Sequence, residues 1–199
     1  MIYPKEFEEL LEDFKLFQGI GEKSAERFVY SINSLDIDKV EKFAKDLQEF
    51  KKNIRKCKNC GHLTNKEICN ICDSESRDKS IICVVEDSKN VIMFEKTGKY
   101  NGTYHVLGGL ISPIDEKNPE DLNISNLINK RINEETKEII IALNPSVEGE
   151  MTSLYIQKLL ENKNVKVSRL SYGIPMGADI DYLDPLTIIR AIDDRKFLS

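Results

Sequence analysis

The sequence predicts an α/β protein with an N-terminal helical hairpin region, a small four-cysteine zinc element, a parallel-sheet domain and a C-terminal helix. Three observations carry that prediction. The first fifty or so residues place apolar side chains at helical spacing. Cys57, Cys60, Cys69 and Cys72 form two C-x-x-C pairs, and beyond residue 80 apolar runs of strand length alternate with helical patterns. The corresponding divisions are residues 1–53, 54–76, 77–174 and 175–199.

In the first part, Phe7, Leu10, Leu11, Phe14 and Phe17 give residues 4–17 the stripe of an amphipathic helix, which should stop at Gln18-Gly19-Ile20-Gly21. A second helix starts at Glu22, with Ala25, Phe28, Val29 and Ile32 on its inner face. Asp36 or Asp38 caps a third, carrying Val40, Phe43, Leu47, Phe50 and Ile54. The G-I-G turn exposes backbone N–H groups at the positive end of the second helix. Lys23, Ser24 and Arg27 stand beside it. With Gly19 and Gly21, they form a helix-hairpin-helix element able to grip a DNA phosphate without reading sequence. A plain helical hairpin is the competing reading, and Glu22 and Glu26 must point away from any phosphate.

The cysteine spacing brings four sulfur ligands within reach of one tetrahedral, structural Zn²⁺. Gly61 follows the first pair, where a metal knuckle turns tightly. Two disulfides or a redox pair are the alternatives, and both need a context this chain lacks. By their place in the chain, the ligands are expected to join the hairpin region to the α/β domain. The start Met1-Ile2-Tyr3-Pro4, followed by Glu6, Glu8 and Glu9, is unlike a signal peptide, so the thiols are expected in the cytoplasm. Cys83 reads as a small buried side chain. No apolar run approaches the roughly 20 residues of a membrane span. The net charge of −5 argues against a general nucleic-acid coat. Yet Lys51, Lys52, Arg55, Lys56, Lys58 and Lys66 form a run without acids. These cations either balance the thiolates or face phosphate.

Residues 74–79 read as a charged linker. Strands are expected over 81–85, 104–107, 138–143 and 165–170, and helices over 91–96, 124–135 and 152–160. Parallel sheets gather functional groups beyond their carboxyl ends. Glu86, Glu148 and Glu150 fall there and could hold Mg²⁺. The alternative is that Glu148 and Glu150 precede a helix starting near Met151 and favour its dipole. Asp184 before Pro185 marks a last helix. Its Leu186, Ile188, Ile189 and Ile192 should pack on a partner subunit or on the chain's own sheet.

The ordered set of motifs resembles the bacterial recombination mediator family RecR over essentially the whole chain. The matching stretches are Gly19-Ile20-Gly21-Glu22-Lys23-Ser24-Ala25-Glu26-Arg27, Cys57-Lys58-Asn59-Cys60-Gly61-His62-Leu63-Thr64 and Cys69-Asn70-Ile71-Cys72. They continue with Cys83-Val84-Val85-Glu86, Tyr104-His105-Val106-Leu107-Gly108-Gly109, Asn144-Pro145-Ser146-Val147-Glu148-Gly149-Glu150 and Gly173-Ile174-Pro175-Met176-Gly177. The resemblance implies a Toprim fold for roughly residues 80–174 and a Walker-B-like segment around Asp179 to Asp184. It also implies ring-like tetramers and a role with RecO, and in many bacteria RecF, in loading RecA on gapped single-stranded DNA. By position, Lys23 and Arg27 correspond to DNA-contacting residues and the four cysteines to zinc ligands. Phe17-Gln18 departs from the usual Leu-Pro, and Ala178 replaces a common glycine in a loop where positive φ is at issue.

Two functions follow from these readings. The first is a non-enzymatic DNA clamp and adaptor binding gapped, single-stranded or duplex DNA, with its apolar ends (Phe7 to Phe17 and Leu186 to Ile192) serving oligomerisation. The second is a Mg²⁺-dependent Toprim nuclease or topoisomerase-like enzyme using Glu86, Glu148 and Glu150. The E-G-E spacing, with its longer arms, favours the first, in which these acids contact a basic partner such as RecO.

Overall fold

The computed structural model describes residues 3–171 and 173–195. Contacts divide it into two compact units, residues 1–53 and 54–199.

In the first unit, α1 (Lys5–Lys15) and α2 (Glu22–Asn33) pack as a hairpin. Leu11, Ala25 and Val29 are buried between them, flanked by Phe7, Leu10, Phe14 and Ile20. Ala25 has no Cβ substituent to hold the helices apart and is fully buried. The stripe expected for the first helix is therefore used inside the hairpin, up to Phe14. Only Leu16 and Phe17, beyond the end of α1, stand exposed. The third helix behaves differently. In α3 (Ile37–Asn53) no residue is buried, and Phe43, Leu47 and Phe50 remain about half exposed.

The second unit is built on a parallel sheet of four strands, β3 (Asp78–Val85), β4 (Gly102–Val106), β5 (Glu138–Ala142) and β6 (Lys166–Arg169). Their order across the sheet is β4-β3-β5-β6. Alternation along central β3 explains the two layers. Ile82 and Val84 face one side, with Ile139, Ile141, Leu127 and Ile156. Cys83 and Val85 face the other, with Val91, Tyr104 and Val106. Cys83 is a buried thiol, pushed up to about 12 by desolvation.

Four boundaries differ from expectation for identifiable reasons. Asp78 and Lys79 belong to β3 rather than to a linker. Arg77, just before it, donates to both oxygens of Glu95 on α5 (Ser88–Thr97) and to the carbonyls of Tyr100 and Gly102. Helix α5 begins three residues early because Asp87 and Asn90 form a reciprocal capping box. The helix expected over 124–135 is a single turn, α6 (Ile124–Asn126), that widens into a π-helix over Leu127–Arg131 and ends there. Helix α7 (Val147–Leu160) starts five residues before the expected 152, because Ser146 caps it by accepting from Gly149 N at 3.1 Å. Glu148 and Glu150 thus lie within its first turn rather than ahead of it. A Cβ on Gly149 would stand 2.0 Å from the carbonyl oxygen of Asn144, so only glycine allows this close return of the chain.

His105 is wholly buried on β4. Its Nε2 lies 2.8 Å from the Asn123 carbonyl, which requires Nε2 to be the donor, and Nδ1 has no partner. Burial, opposed by the Asn123 bond and reinforced by nearby Arg131, lowers its pKa to about 4. The unfolded chain binds that proton near pH 6.5, so stability present above this pH is lost as pH falls toward 4. The loss amounts to about 3 kcal/mol from this group. Urea titrations from pH 7 to pH 4 should show a steeper decline for the parent than for His105→Gln. Parallel declines would refute the assignment.

Candidate metal centre and nucleic-acid interface

The four cysteines are buried and their sulfur atoms lie within 4.8 Å of one another. The Cys60 and Cys69 sulfurs are 3.6 Å apart. Zn–S bonds of about 2.3 Å in a tetrahedron put sulfurs about 3.8 Å apart, so the set fits a structural Zn²⁺. Two backbone amides point at the ligands: His62 N lies 3.4 Å from the Cys60 sulfur, and Cys69 N lies 3.2 Å from that of Cys57.

The cysteine pairs stand on short elements with little cohesion of their own. These are β1 (Arg55–Lys56), β2 (Leu63–Thr64) and the single turn α4 (Asn70–Asp73). What fixes them is the sheet. Val106 N, on edge strand β4, donates to Cys60 O at 2.7 Å. Asn126 reaches Asn59 O at 3.2 Å, and Leu63 N donates to Ser88 Oγ at 3.1 Å. Gly61 adopts φ +78°, and a Cβ there would meet Val106 O at 2.9 Å and Asn123 Nδ2 at 2.8 Å. Glycine is needed here for both conformation and space. Ile71 packs into the cluster on the α5 side of the sheet.

One cation near the thiolates comes from a residue the sequence reading missed. Arg131, at the end of the π-helix, donates to Thr103 Oγ1 at 3.0 Å and lies close enough to Cys72 to favour its thiolate. An arginine 59 positions downstream of the last ligand leaves no local signal. The basic run itself is split: Lys51 and Lys52 end α3, while Lys58 pairs with Glu67 at 2.7 Å and Lys66 donates to Asn70.

At the hairpin, Gly19 takes φ +82° and Gly21 is the extended N-cap of α2, with no side-chain cap on the first turn. Only Gly19 therefore needs the left-handed region. Nothing lies within 4 Å of a Cβ on either glycine, so the turn is open. Lys23 and Arg27 are exposed, Arg27 with its guanidinium 5.8 Å from the Phe28 ring centre, and Ser24 is half-buried. The two acids that could repel phosphate are engaged elsewhere. Glu22 pairs with Lys15 at 3.1 Å, and Glu26 accepts from Tyr3 Oη at 2.5 Å.

The three carboxylates at the strand ends do not converge. Among the described residues, the cysteines are the one group of three or more metal-ligating side chains held together. Glu86 accepts from Asn144 Nδ2 at 2.9 Å, and Glu150 pairs with Arg169 at 2.9 Å. In the segment around Asp179 to Asp184, Asp179 accepts from Asp181 N. Asp184 caps α8 (Pro185–Asp193), held below the usual carboxylate range by the Thr187 hydroxyl and amide. The positive φ in this loop falls on Gly177, so Ala178 is accommodated without strain. The apolar stripe of α8 is not spent on the sheet, since Leu186, Ile189 and Ile192 stay more than half exposed.

Because the knuckle is bonded to β4, zinc removal should disturb the sheet as well as the metal loop. Purified protein should carry one zinc per chain, and Cys60→Ser should abolish it and lower the thermal midpoint by about 10 °C or more. A zinc-free protein that melts like the parent would overturn this account.

Comparison with known proteins agrees with this construction. Residues 54–74 match the four-cysteine zinc finger domain of RecR, residues 80–171 a Toprim domain, and residues 173–196 the C-terminal region of RecR. The chain is 47% identical over 197 residues to the recombination protein RecR of Finegoldia magna, covering 98% of each. It is 44% identical over 195 residues to that of Staphylococcus saprophyticus, again covering 98% of each. The parallel sheet, the four-cysteine zinc element and this likeness along nearly the full length lead to one conclusion: the chain belongs to the RecR family.

Proposed function

We propose that this chain is a non-enzymatic DNA adaptor of recombinational repair. It acts as a closed homo-oligomer, a tetramer, that works with RecO, and with RecF where present, to load RecA on gapped single-stranded DNA. The relatives named recombination proteins support the repair role. The observation that carries DNA binding is the uncapped, open start of α2. There Lys23 and Arg27 face solvent while Glu22 and Glu26 are tied to Lys15 and Tyr3. Gly19 and Gly21 leave space for a phosphate, Ser24 adds a hydroxyl, and the dipole of α2 favours the anion.

Assembly is supported by unspent apolar surface. An apolar cleft of about 500 Å³ opens in the first unit beside Phe17, Ile20, Phe28, Leu35 and Phe43. Leu47 and Phe50 extend the exposed stripe. The interface thus draws on α3 and the α1–α2 turn rather than on the Phe7–Phe14 stripe, with α8 as the second apolar end. Glu86, Glu148 and Glu150 serve a basic partner surface such as that of RecO in preference to Mg²⁺, since Glu86 and Glu150 already have hydrogen-bonding partners.

Lys23→Ala should weaken binding to all DNA sequences about equally and reduce the slope of log K against log salt by about one. Anisotropy titrations at several salt concentrations decide this, and loss confined to one sequence would defeat it. Light scattering should give a tetramer for the parent and a smaller species for Leu47→Glu. A parent that stays monomeric at micromolar concentrations with DNA present would end the clamp reading.

A further inference from the structure

The glycine pair after β4 is crossed by two lysines from different elements. Gly108 and Gly109 have φ of +85° and +147°. A Cβ on Gly109 would stand 2.1 Å from Lys117 Nζ, and one on Gly108 would stand 3.7 Å from Lys56 Nζ. Lys117 also donates to Gly108 O at 3.1 Å. Its backbone is held by a two-way bridge to Ser112, at 2.8 and 3.0 Å. The missing side chain at 109 is what lets the Lys117 ammonium group lie over the glycine pair, while Lys56 Nζ rests at ordinary contact distance from position 108.

That spot borders a cleft of about 690 Å³ between the zinc element and the carboxyl ends of β3 and β4, lined in part by Lys56, Gly108, Leu63 and Leu122. The charges around it are unevenly satisfied. Lys58 pairs with Glu67 and Lys89 with Asp87. Lys56 and Lys117 form no ion pair among the described residues. The two cleft carboxylates are engaged by backbone: Asp87 accepts from Lys89 N and Asn90 N, and Asp121 from Asn118 N. The amide groups of Asn123 and Asn126 are spent on Val106 O and Asn59 O. What remains for a ligand is Lys56 in the cleft wall and Lys117 at its rim, on the carbonyl of Gly108, beside apolar residues that include half-exposed Leu63.

We propose that this cleft holds a phosphodiester of single-stranded DNA, with Lys56 and Lys117 as its phosphate contacts. The proposal rests on the DNA-binding function above and adds a second contact, separate from the hairpin of α1 and α2. Unpaired ammonium groups suit phosphate, and no aromatic ring or unspent amide lines the cleft to stack on or read a base, so the contact is blind to sequence. A single strand can bend into the concavity, whereas a stiff duplex meets only its rim.

The test compares the full-length parent with Lys117→Gln, Lys56→Gln/Lys117→Gln and Lys23→Ala, on oligothymidine, on a blunt duplex and on thymidine monophosphate. Zinc content and thermal midpoint are checked in each variant. Lys117→Gln lies outside the zinc element and remains informative if changes at Lys56 disturb the metal. For the double variant, oligothymidine affinity should fall on the order of tenfold. Its salt slope should fall by about 1.4, two single-strand contacts at about 0.7 each. Duplex affinity should be unchanged. Unchanged oligothymidine binding by folded variants, with Lys23→Ala still impaired, would overturn the cleft alone. Equal loss on duplex would overturn the single-strand assignment, as would loss on the mononucleotide without loss on oligothymidine. A parent that binds no DNA would overturn both the cleft and the proposed function.

Discussion

The hydrogen bond from Val106 N to Cys60 O is the contact on which the second unit depends. An edge strand leaves a row of unpaired donors and acceptors, and a metal knuckle is too small to fold without help. Each solves the other's problem. The knuckle turns at Gly61, presents the Cys60 carbonyl to β4, and fits only because no Cβ stands between it and Val106 O. The zinc element is thereby part of the sheet's edge, with Ile71 entering the same apolar cluster as Cys83 and Val85. Their place in the chain makes the ligands look like a joint between two domains, but their packing ties them to one.

Around that edge the polar groups are arranged at some cost. His105 is buried neutral with one ring nitrogen unpartnered, and the Arg131 Nε likewise has no partner. Such groups are destabilising unless something else fixes their place. Here Arg131 also favours the Cys72 thiolate and bonds Thr103. A cation beside thiolates that hold zinc would offset part of their excess negative charge, which would give its partial burial a physical return. The π-helix supplies the geometry, since the widened turn ending at Arg131 carries that side chain to β4.

What the sequence disclosed follows from how local each signal is. The cysteine ligands, the apolar strands and the Asp184-Pro185 helix start are each set by residues a few positions apart, and all were legible. The early start of α7 was not, because Ser146 reads as part of a turn and the cap depends on Gly149 fitting beneath Asn144 O. The π-helix was invisible for a similar reason: Leu127, Ile128 and Ile132 suit an α-helix equally well. The acids show the limit most clearly. Placement after strands brought Glu86, Glu148 and Glu150 to one end of the sheet, but whether carboxylates converge depends on partners elsewhere, here Asn144 and Arg169. Arg131 and Lys117 act through contacts across the fold, which spacing along the chain does not encode, whereas Lys56 stands in the basic run that the sequence does show.

The first unit carries a different constraint. A region of about fifty residues buries too little surface to be comfortably stable alone. Here the buried core among the described residues is Leu11, Ala25 and Val29 with their flanking aromatics. Helix α3 adds none, and its Phe43, Leu47 and Phe50 fall at intervals of four and three along one exposed stripe. That stripe costs solubility and gives nothing to a lone chain. In the proposed oligomer that stripe would be covered, so folding of the region and association of the chains would be coupled by mass action. The same coupling bears on phosphate binding, because the open turn at Gly19 to Gly21 lies directly beside Phe17 and Ile20, which border the apolar cleft. A phosphate grip placed next to the proposed assembly surface would gain order when that surface is covered, which would make oligomerisation part of how the chain holds DNA.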